Sequence, residues 1–293
     1  MRRSPSAFGL ATLTRTGNRG AGGEGQVEVA EASTPTIRLE RDGAVAQAIL
    51  SNPPLNLFTA TSFDELVACI EEVEGSDARA LVWRAEGEIM SGGVDVANFQ
   101  RVVDDGPERA SEFAGPLVEA VRRLEALEIP TLALCHGVCL TAALEIALGC
   151  DLIWASESAQ FGLVEAVVGL TPGAGGTQRM AERAGPGRAR EFVYTGGMFD
   201  AATLERWNVV NRVVPDDELT EKGMRFAQRL AAGPTQAHAA TKRIVRAYLR
   251  GGVDEADRVT AEQFAGLFAT EDLQGAVRAF LAEGPGKAEF KGR

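Results

Sequence analysis

The chain has 293 residues, 45% hydrophobic and 24% charged, the balance of a globular protein long enough to bury a substantial core. A formal net charge of -11 sets it against nucleic acid and anionic lipid, both polyanions, because no basic patch interrupts the body of the chain. No apolar run reaches the ~18 residues a membrane helix requires, so no membrane partner is expected.

Residues 1–34 are rich in Gly, Ser, Thr and Arg, with Gly17, Gly20, Gly22, Gly23 and Gly25 crowded together, and predict a disordered tail. Arg2, Arg3, Arg15 and Arg19 precede the first acidic residue, Glu24, as in an organellar transit peptide, but Pro5 and Gly9 interrupt the amphipathic helix such a peptide needs. The expected location is therefore cytoplasmic, with the mitochondrial matrix as the alternative.

From residue 35 the chain alternates short β-like runs with helical segments, the pattern of an α/β fold. Strands are predicted at Thr36 to Arg41, Ala44 to Leu50, Ala80 to Trp83, Pro130 to Cys135, Asp151 to Ala155 and Val209 to Val214. Helices are predicted at Ser62 to Glu74, Glu108 to Leu127, Ala142 to Gly149 and Gly175 to Ala184. Strand signals stop beyond Asp216. Helices then follow at Leu219 to Ala232, Gln236 to Arg250, Glu255 to Ala269 and Leu273 to Glu283, punctuated by Gly233-Pro234 and Gly251-Gly252. The expected organisation is a tail over 1–34, a core over 35–230 and a helical oligomerisation region over 231–293.

Three segments carry candidate chemistry. In Met90-Ser91-Gly92-Gly93-Val94-Asp95 the two glycines let the backbone approach a ligand or take positive φ; a plain turn with Asp95 as N-cap is the alternative. In His136 to Asp151 a strand gives way to an Ala/Leu-rich helix opening at Ala142, where unpaired amides and the positive end of the helix dipole suit a developing oxyanion. Glu145, one turn into that helix, is either a dipole partner or a functional group facing a cavity. In Ala159 to Arg179, Glu165 stands alone among Leu163, Val164, Ala166, Val167 and Val168, so desolvation should raise its pKa unless a cation compensates. A carboxylate at a strand end facing water is the alternative. The glycines of Gly173 to Gly176 lack the ending of a P-loop and the spacing of a dinucleotide fingerprint and read as a turn into a helix.

Cys69, Cys135, Cys139 and Cys150 form no short-spaced ligand set with a histidine and read as buried thiols in a reducing compartment; no metal site is expected. His136 and His238 are lone histidines, the first read as a satisfied loop residue.

The stretches Glu145 to Asp151 and Ala159 to Arg179, with Phe268-Ala269-Thr270-Glu271-Asp272 and the closing Phe290-Lys291-Gly292-Arg293, resemble the crotonase (enoyl-coenzyme A hydratase/isomerase) superfamily over residues 35 to 293. That resemblance implies an α/β crotonase-like ββα superhelix with a helical C-terminal trimerisation region, a homotrimer or dimer of trimers, and an acyl-CoA substrate with no cofactor beyond its coenzyme A. It further implies that Val94 and Ala142 supply oxyanion-hole amides, and that Glu145 and Glu165 are the catalytic carboxylates. By the same resemblance Gly173 lines the acyl site, and Asn56, Leu57, Ser91, Gly93 and Asp95 border the coenzyme A. Lys287 and Phe290 reach a coenzyme A, in some members that of a neighbouring subunit. The implied activity is hydration of a 2-enoyl thioester, with double-bond isomerisation, or a non-catalytic binding subunit, as alternatives. Thr141-Ala142-Ala143 departs from the triple glycine of many hydratases, and Val94 stands where a smaller residue is usual; both narrow the space around the thioester.

Overall fold

The computed structural model describes residues 35–293; the expected disordered tail lies outside the described residues. The fold opens with an antiparallel hairpin, β1 (Ile37–Asp42) and β2 (Val45–Leu50), followed by α1 (Ala60–Glu74) and β3 (Ala80–Ala85). Next come α2 (Val96–Asp105), α3 (Arg109–Ala126), β4 (Thr131–Cys135), β5 (Val138–Leu140) and α4 (Ala142–Gly149). They are followed by β6 (Leu152–Ser156), β7 (Gln160–Gly162), a 3-10 turn at Glu165–Val168, α5 (Gly176–Ala184) and α6 (Pro186–Thr195). Then β8 (Phe199–Asp200), α7 (Ala201–Arg206) and β9 (Arg212–Val214) lead to the C-terminal helices α8 (Leu219–Ala231), α9 (Thr235–Leu267) and α10 (Glu271–Glu283).

Six strands form one sheet in the order β1-β2-β3-β4-β6-β9, parallel except for β1; three form a second in the order β5-β7-β8. Each turn of the superhelix sends one strand to each sheet and then a helix: β4 and β5 precede α4, and β6 and β7 precede α5. β3 starts the series, since Ser91 beyond it bridges Cys139 of β5. The architecture is the crotonase-like ββα arrangement, with a helical C-terminal region. Both faces of the large sheet are covered, which is why β2 and β4 are wholly buried and mostly apolar, with Gln47 and Thr131 their only polar residues. One face packs on α1, α3 and α4 through Phe63, Leu66, Leu124 and Ile146; the other packs on α8, with Trp154, Leu132 and Leu134 against Leu219 and Ala227.

Most element boundaries shift by one or two residues, and two shifts have a visible cause. α1 begins at Ala60 because Thr59 is the N-cap, with Thr59 and Ser62 bonded reciprocally as a capping box. The strand expected at Val209 to Val214 shrinks to β9, because Val209 and Val210 sit in a buried turn where both amides donate to Leu204 O. The two helices expected on either side of Gly251-Gly252 are the two halves of α9, which breaks as expected at Gly252, where φ is 72° and ψ -164°.

Asn56 organises the loop between β2 and α1. It is buried, accepts from Asn52 N–H at 2.8 Å, and donates through Nδ2 to Glu86 O at 2.7 Å and Ile89 O at 2.9 Å. Its φ of 50° is one that asparagine tolerates better than most residues. Truncation removes three part-buried hydrogen bonds to the backbone, so at about 1 kcal/mol each Asn56→Ala should cost about 3 kcal/mol of unfolding free energy in urea titrations. A loss below about 1 kcal/mol would mean that the loop re-forms these bonds with water.

Candidate active site

Ser91 fixes the first glycine loop from beneath. Its buried Oγ donates to Asn56 O at 2.6 Å and accepts from Gly93 N–H at 2.9 Å, while Gly92 N–H donates to Leu55 O at 2.8 Å. Phe58 N–H donates to Gly93 O at 2.9 Å and Asp95 N–H donates to Phe58 O at 3.0 Å, the bond pair of a parallel bridge opposite Val94. The bridged residue turns its own N–H away from that partner. Asp95 is the N-cap of α2, its carboxylate accepting from Ala97 N–H at 3.0 Å.

The second loop turns sharply at Thr141, whose φ of 46° and ψ of -116° lie outside the regions β-branched residues favour. Thr141 N–H donates to Gly162 O at 2.9 Å, and its carbonyl accepts from Glu145 N–H at 2.9 Å. Ala142 is then the first residue of α4, where helix amides lack intrahelical acceptors. Among the described residues neither the Val94 nor the Ala142 N–H finds an acceptor. The residues preceding these amides touch: a Cβ on Gly93 would lie 2.5 Å from Thr141 Oγ1, and Gly93 has φ +99°, so only glycine fits there. Two loops distant in sequence thus meet at Gly93 and Thr141, each followed by an amide without an acceptor among the described residues.

Glu145 lies in the same turn of α4, 3% exposed. Its Oε1 accepts from Ala174 N–H at 2.8 Å and Gly176 N–H at 2.9 Å, and Oε2 makes no hydrogen bond among the described residues. Burial raises its pKa; the two amides and the charge of Arg179 oppose that rise without cancelling it. Glu165 begins the 3-10 turn after β7, half-buried, with Oε2 buried and unpartnered. Burial is the main cause that pushes it up to about 7, and the negative charge of Glu145 adds to the effect. The apolar surroundings read from the sequence therefore act as expected, and among the described residues no cation compensates. Val167, Val168 and Leu170, just beyond, form an exposed apolar lip.

Of the residues named from the sequence, Ser91, Gly93, Val94, Ala142, Glu145 and Glu165 come together with the turn that follows Gly173, itself exposed. Asn56 and Leu57 lie against the first loop, with the Asn56 amide fully engaged and Leu57 packed near Gly92. Phe290 is not brought to the carboxylates of its own chain, and Lys287, three residues before it, is exposed. Phe290 O accepts from Arg79 Nη1 at 3.0 Å beside the N-terminal end of β3, whereas the glycine loop follows its C-terminal end. His136 is satisfied, with Nε2 3.1 Å from Gly87 O. The sequence reading missed Arg179 and Glu125, which pair at 2.6 Å behind the Gly173 to Gly176 turn; nothing local in either segment signals a contact across 54 residues. A cleft of about 640 Å3 opens at the far ends of α4 and α5, where Leu148 and Arg183 face Lys242 and Arg246, and neither candidate carboxylate lines it. Among the described residues no three metal-ligating side chains cluster.

Residues 40–293 match the family model described as enoyl-CoA hydratase/isomerase. The chain is 30% identical over 248 residues to the short-chain-enoyl-CoA hydratase of Clostridium acetobutylicum, covering 84% of this chain and 94% of that protein. It is 28% identical over 249 residues to the crotonyl-CoA hydratase of Syntrophomonas wolfei, with the same two coverages of 84% and 94%. Among solved structures, enoyl-CoA hydratase subunit I of Geobacillus kaustophilus superposes with a TM-score of 0.81 at 34% identity, over 88% of this chain and 98% of that one. With two carboxylates and two unpaired amides converging on the ββα frame, the chain belongs to the enoyl-CoA hydratase/isomerase family.

Proposed function

We propose that the chain hydrates a 2-enoyl-CoA thioester, adding water syn across C2=C3. The observation that carries this reading is the pair Glu145 and Glu165, close enough for the charge of one to raise the pKa of the other, in environments that differ. Like charges forced together favour one ionised and one protonated partner. Glu145, whose Oε1 accepts two N–H bonds, is the better-supported anion; Glu165, with no donor at Oε2, is the better-supported acid. Glu145 takes a proton from water as the water oxygen bonds to C3. The π electrons move toward C2 and the thioester oxygen, and the Val94 and Ala142 amides stabilise the enolate. Glu165 delivers its proton to C2 as the enolate collapses, and solvent exchange returns a proton from Glu145 to Glu165. No redox step arises, so the only cofactor-like group is the coenzyme A of the substrate. Loss of one such oxyanion donor costs roughly 3 to 4 kcal/mol in comparable holes.

Coenzyme A is assigned to the loops of Asn56, Leu57, Ser91, Gly93 and Asp95, with Gly173 beside the acyl group; Leu57 and Asp95 are the part-exposed members, while the buried, fully bonded Asn56, Ser91 and Gly93 shape the loops from within. Because Phe290 lies away from its own chain's carboxylates, the assignment of Lys287 and Phe290 is to the coenzyme A of a neighbouring copy. The partner reading is a homotrimer or a dimer of trimers. α10 supports it: Asp272 is its one buried residue, while Val277, Phe280 and Leu281 are exposed, as are Phe264 of α9 and Phe268, which caps it. Four buried free thiols suit a reducing cytoplasm. Light scattering at micromolar protein should give a mass three or six times that of the chain, and a monomer would remove the trimer reading.

Glu145→Gln and Glu165→Gln should each lower the hydration rate by about 10²- to 10⁴-fold, and the double variant should be little worse than the poorer single one, since both groups act on one water. The reaction is run in heavy-oxygen water and the 3-hydroxy product weighed by mass spectrometry. If Glu145→Gln stays near wild type and a 3-enoyl thioester is converted without label, the activity is isomerisation instead.

The pH dependence follows from the same division. Glu165 must hold its proton, so kcat/KM should fall as pH rises through about 7. Glu145 must be ionised, so the rate should also fall on the acid side, above the ordinary carboxylate range because burial raises this group too. A profile flat from pH 6 to 9 would contradict the assignment of Glu165 as the acid.

A further inference from the structure

We propose that Arg179 and Glu125 are positioning residues that set the orientation and charge of Glu145 through the Ala174-Gly175-Gly176 turn. The inference rests on the hydratase reading for its kinetic consequences, but the geometry stands apart from it. Arg179 is nearly buried, with its side chain 11% exposed, and meets Glu125 of α3 in a bidentate pair, Nε to Oε1 at 2.7 Å and Nη2 to Oε2 at 2.6 Å. Its remaining nitrogen, Nη1, donates to Ala174 O at 3.1 Å and Gly175 O at 3.3 Å. The Gly175–Gly176 peptide therefore accepts from Arg179 at its carbonyl and donates to Glu145 at its N–H, a continuous relay from guanidinium to carboxylate. Hydrogen bonds in such a chain polarise one another.

The turn is also shaped around the guanidinium. A Cβ on Gly175 would sit 1.8 Å from Arg179 Nη1, and one on Gly176 would sit 3.0 Å from Glu145 Cγ. The peptide is wedged between the two charges with no room for a side chain. The bidentate fork holds Arg179 in one orientation, which lysine cannot reproduce.

The charged and titratable groups that the packed elements bring to α4 are few. Glu125 comes from α3, Arg179 with Glu182 and Arg183 from α5, Glu165 from the 3-10 turn, and the thiols of Cys135 and Cys139 from β4 and β5. Arg183 works at the other end of α4, donating to Cys150 O and Leu148 O, and Glu182 lines the cleft at that same end. Among the described residues Arg179 is the one cation whose charge reaches Glu145, where it opposes the effect of burial.

The decisive measurement is the ionisation midpoint of Glu145, read by pH-difference infrared spectroscopy with Glu145→Gln as the subtraction that identifies its band, alongside kcat and KM profiles. Arg179→Met, checked for folding by circular dichroism, should raise that midpoint and the acid limb of kcat by at least about half a pH unit, leaving the basic limb in position. It should lower kcat by about 10- to 100-fold while KM changes little, because a misaimed carboxylate impairs the chemical step more than binding. Glu125→Gln, which keeps an acceptor for Arg179 but removes the countercharge, should move the midpoint downward. Arg179→Lys should restore the midpoint toward wild type but not kcat. A folded Arg179→Met whose midpoint and acid limb stay at the wild-type values overturns the proposal, whatever its kcat. If Arg179→Met does not fold, a Glu125→Gln variant whose midpoint fails to fall overturns it equally. Should the wild-type chain hydrate no enoyl thioester while the midpoints move in opposite directions as stated, the positioning role stands and the hydratase reading falls.

Discussion

The burial of Glu145 is the constraint on which the site depends. A carboxylate inside an otherwise apolar helix is costly unless donors meet it, and an isolated buried ion simply takes up a proton. Here two amides from a distant glycine-rich turn meet one oxygen, while the other is left without a protein partner. The turn can reach because residues 175 and 176 carry no side chains, and it stays in register because its carbonyls are held from behind by an arginine that is itself neutralised. Removing any layer returns Glu145 to the choice between water and protonation.

Two glutamates on one frame thus acquire different characters without any difference in residue type. Glu145 is almost fully buried yet receives N–H donors; Glu165 is less buried yet receives none at Oε2, and it feels Glu145 as a like charge. Two amides and a cation oppose the effect of burial on Glu145, whereas only its own backbone N–H opposes it on Glu165, so the less buried carboxylate is the one pushed up to about 7.

What could be read from the sequence follows the physical range of each signal. β2, β3, β4 and β6 are buried on both faces and announce themselves as apolar runs, and Glu165 could be singled out because its isolation among valines and alanines is local. β5 and β7 are three residues each, too short for any alternation to register, and β8 has two. α2 escaped because Asn98 is its one buried residue, so no apolar stripe marks it. Glu145 kept two readings in sequence because a helix-start carboxylate has a structural excuse; only the turn at 174–176 folding over it decides how it is held. The Arg179–Glu125 pair joins two surface-like residues across the fold, and their meaning exists only in three dimensions.

Thr141 tests how much the hole tolerates. A β-branched residue with positive φ is strained by about 1 to 3 kcal/mol where glycine would be free, and its buried hydroxyl has no partner. Both costs fall on the residue that turns β5 into α4 and leaves the Ala142 amide unpaired. The conformation is over-determined by bonds to neighbours: its N–H is held by Gly162 O and its carbonyl by Glu145 N–H, while Gly93 makes room for the side chain by having none. Glycine at 93 and threonine at 141 are therefore one joint solution to packing two loops: a side chain at 93 would collide with Thr141, whereas glycine at 141 would take the same backbone turn without strain. Because the same contact sets how closely the two loops approach, the Thr141 side chain takes up space between them, while the Val94 and Ala142 N–H groups stay without acceptors among the described residues.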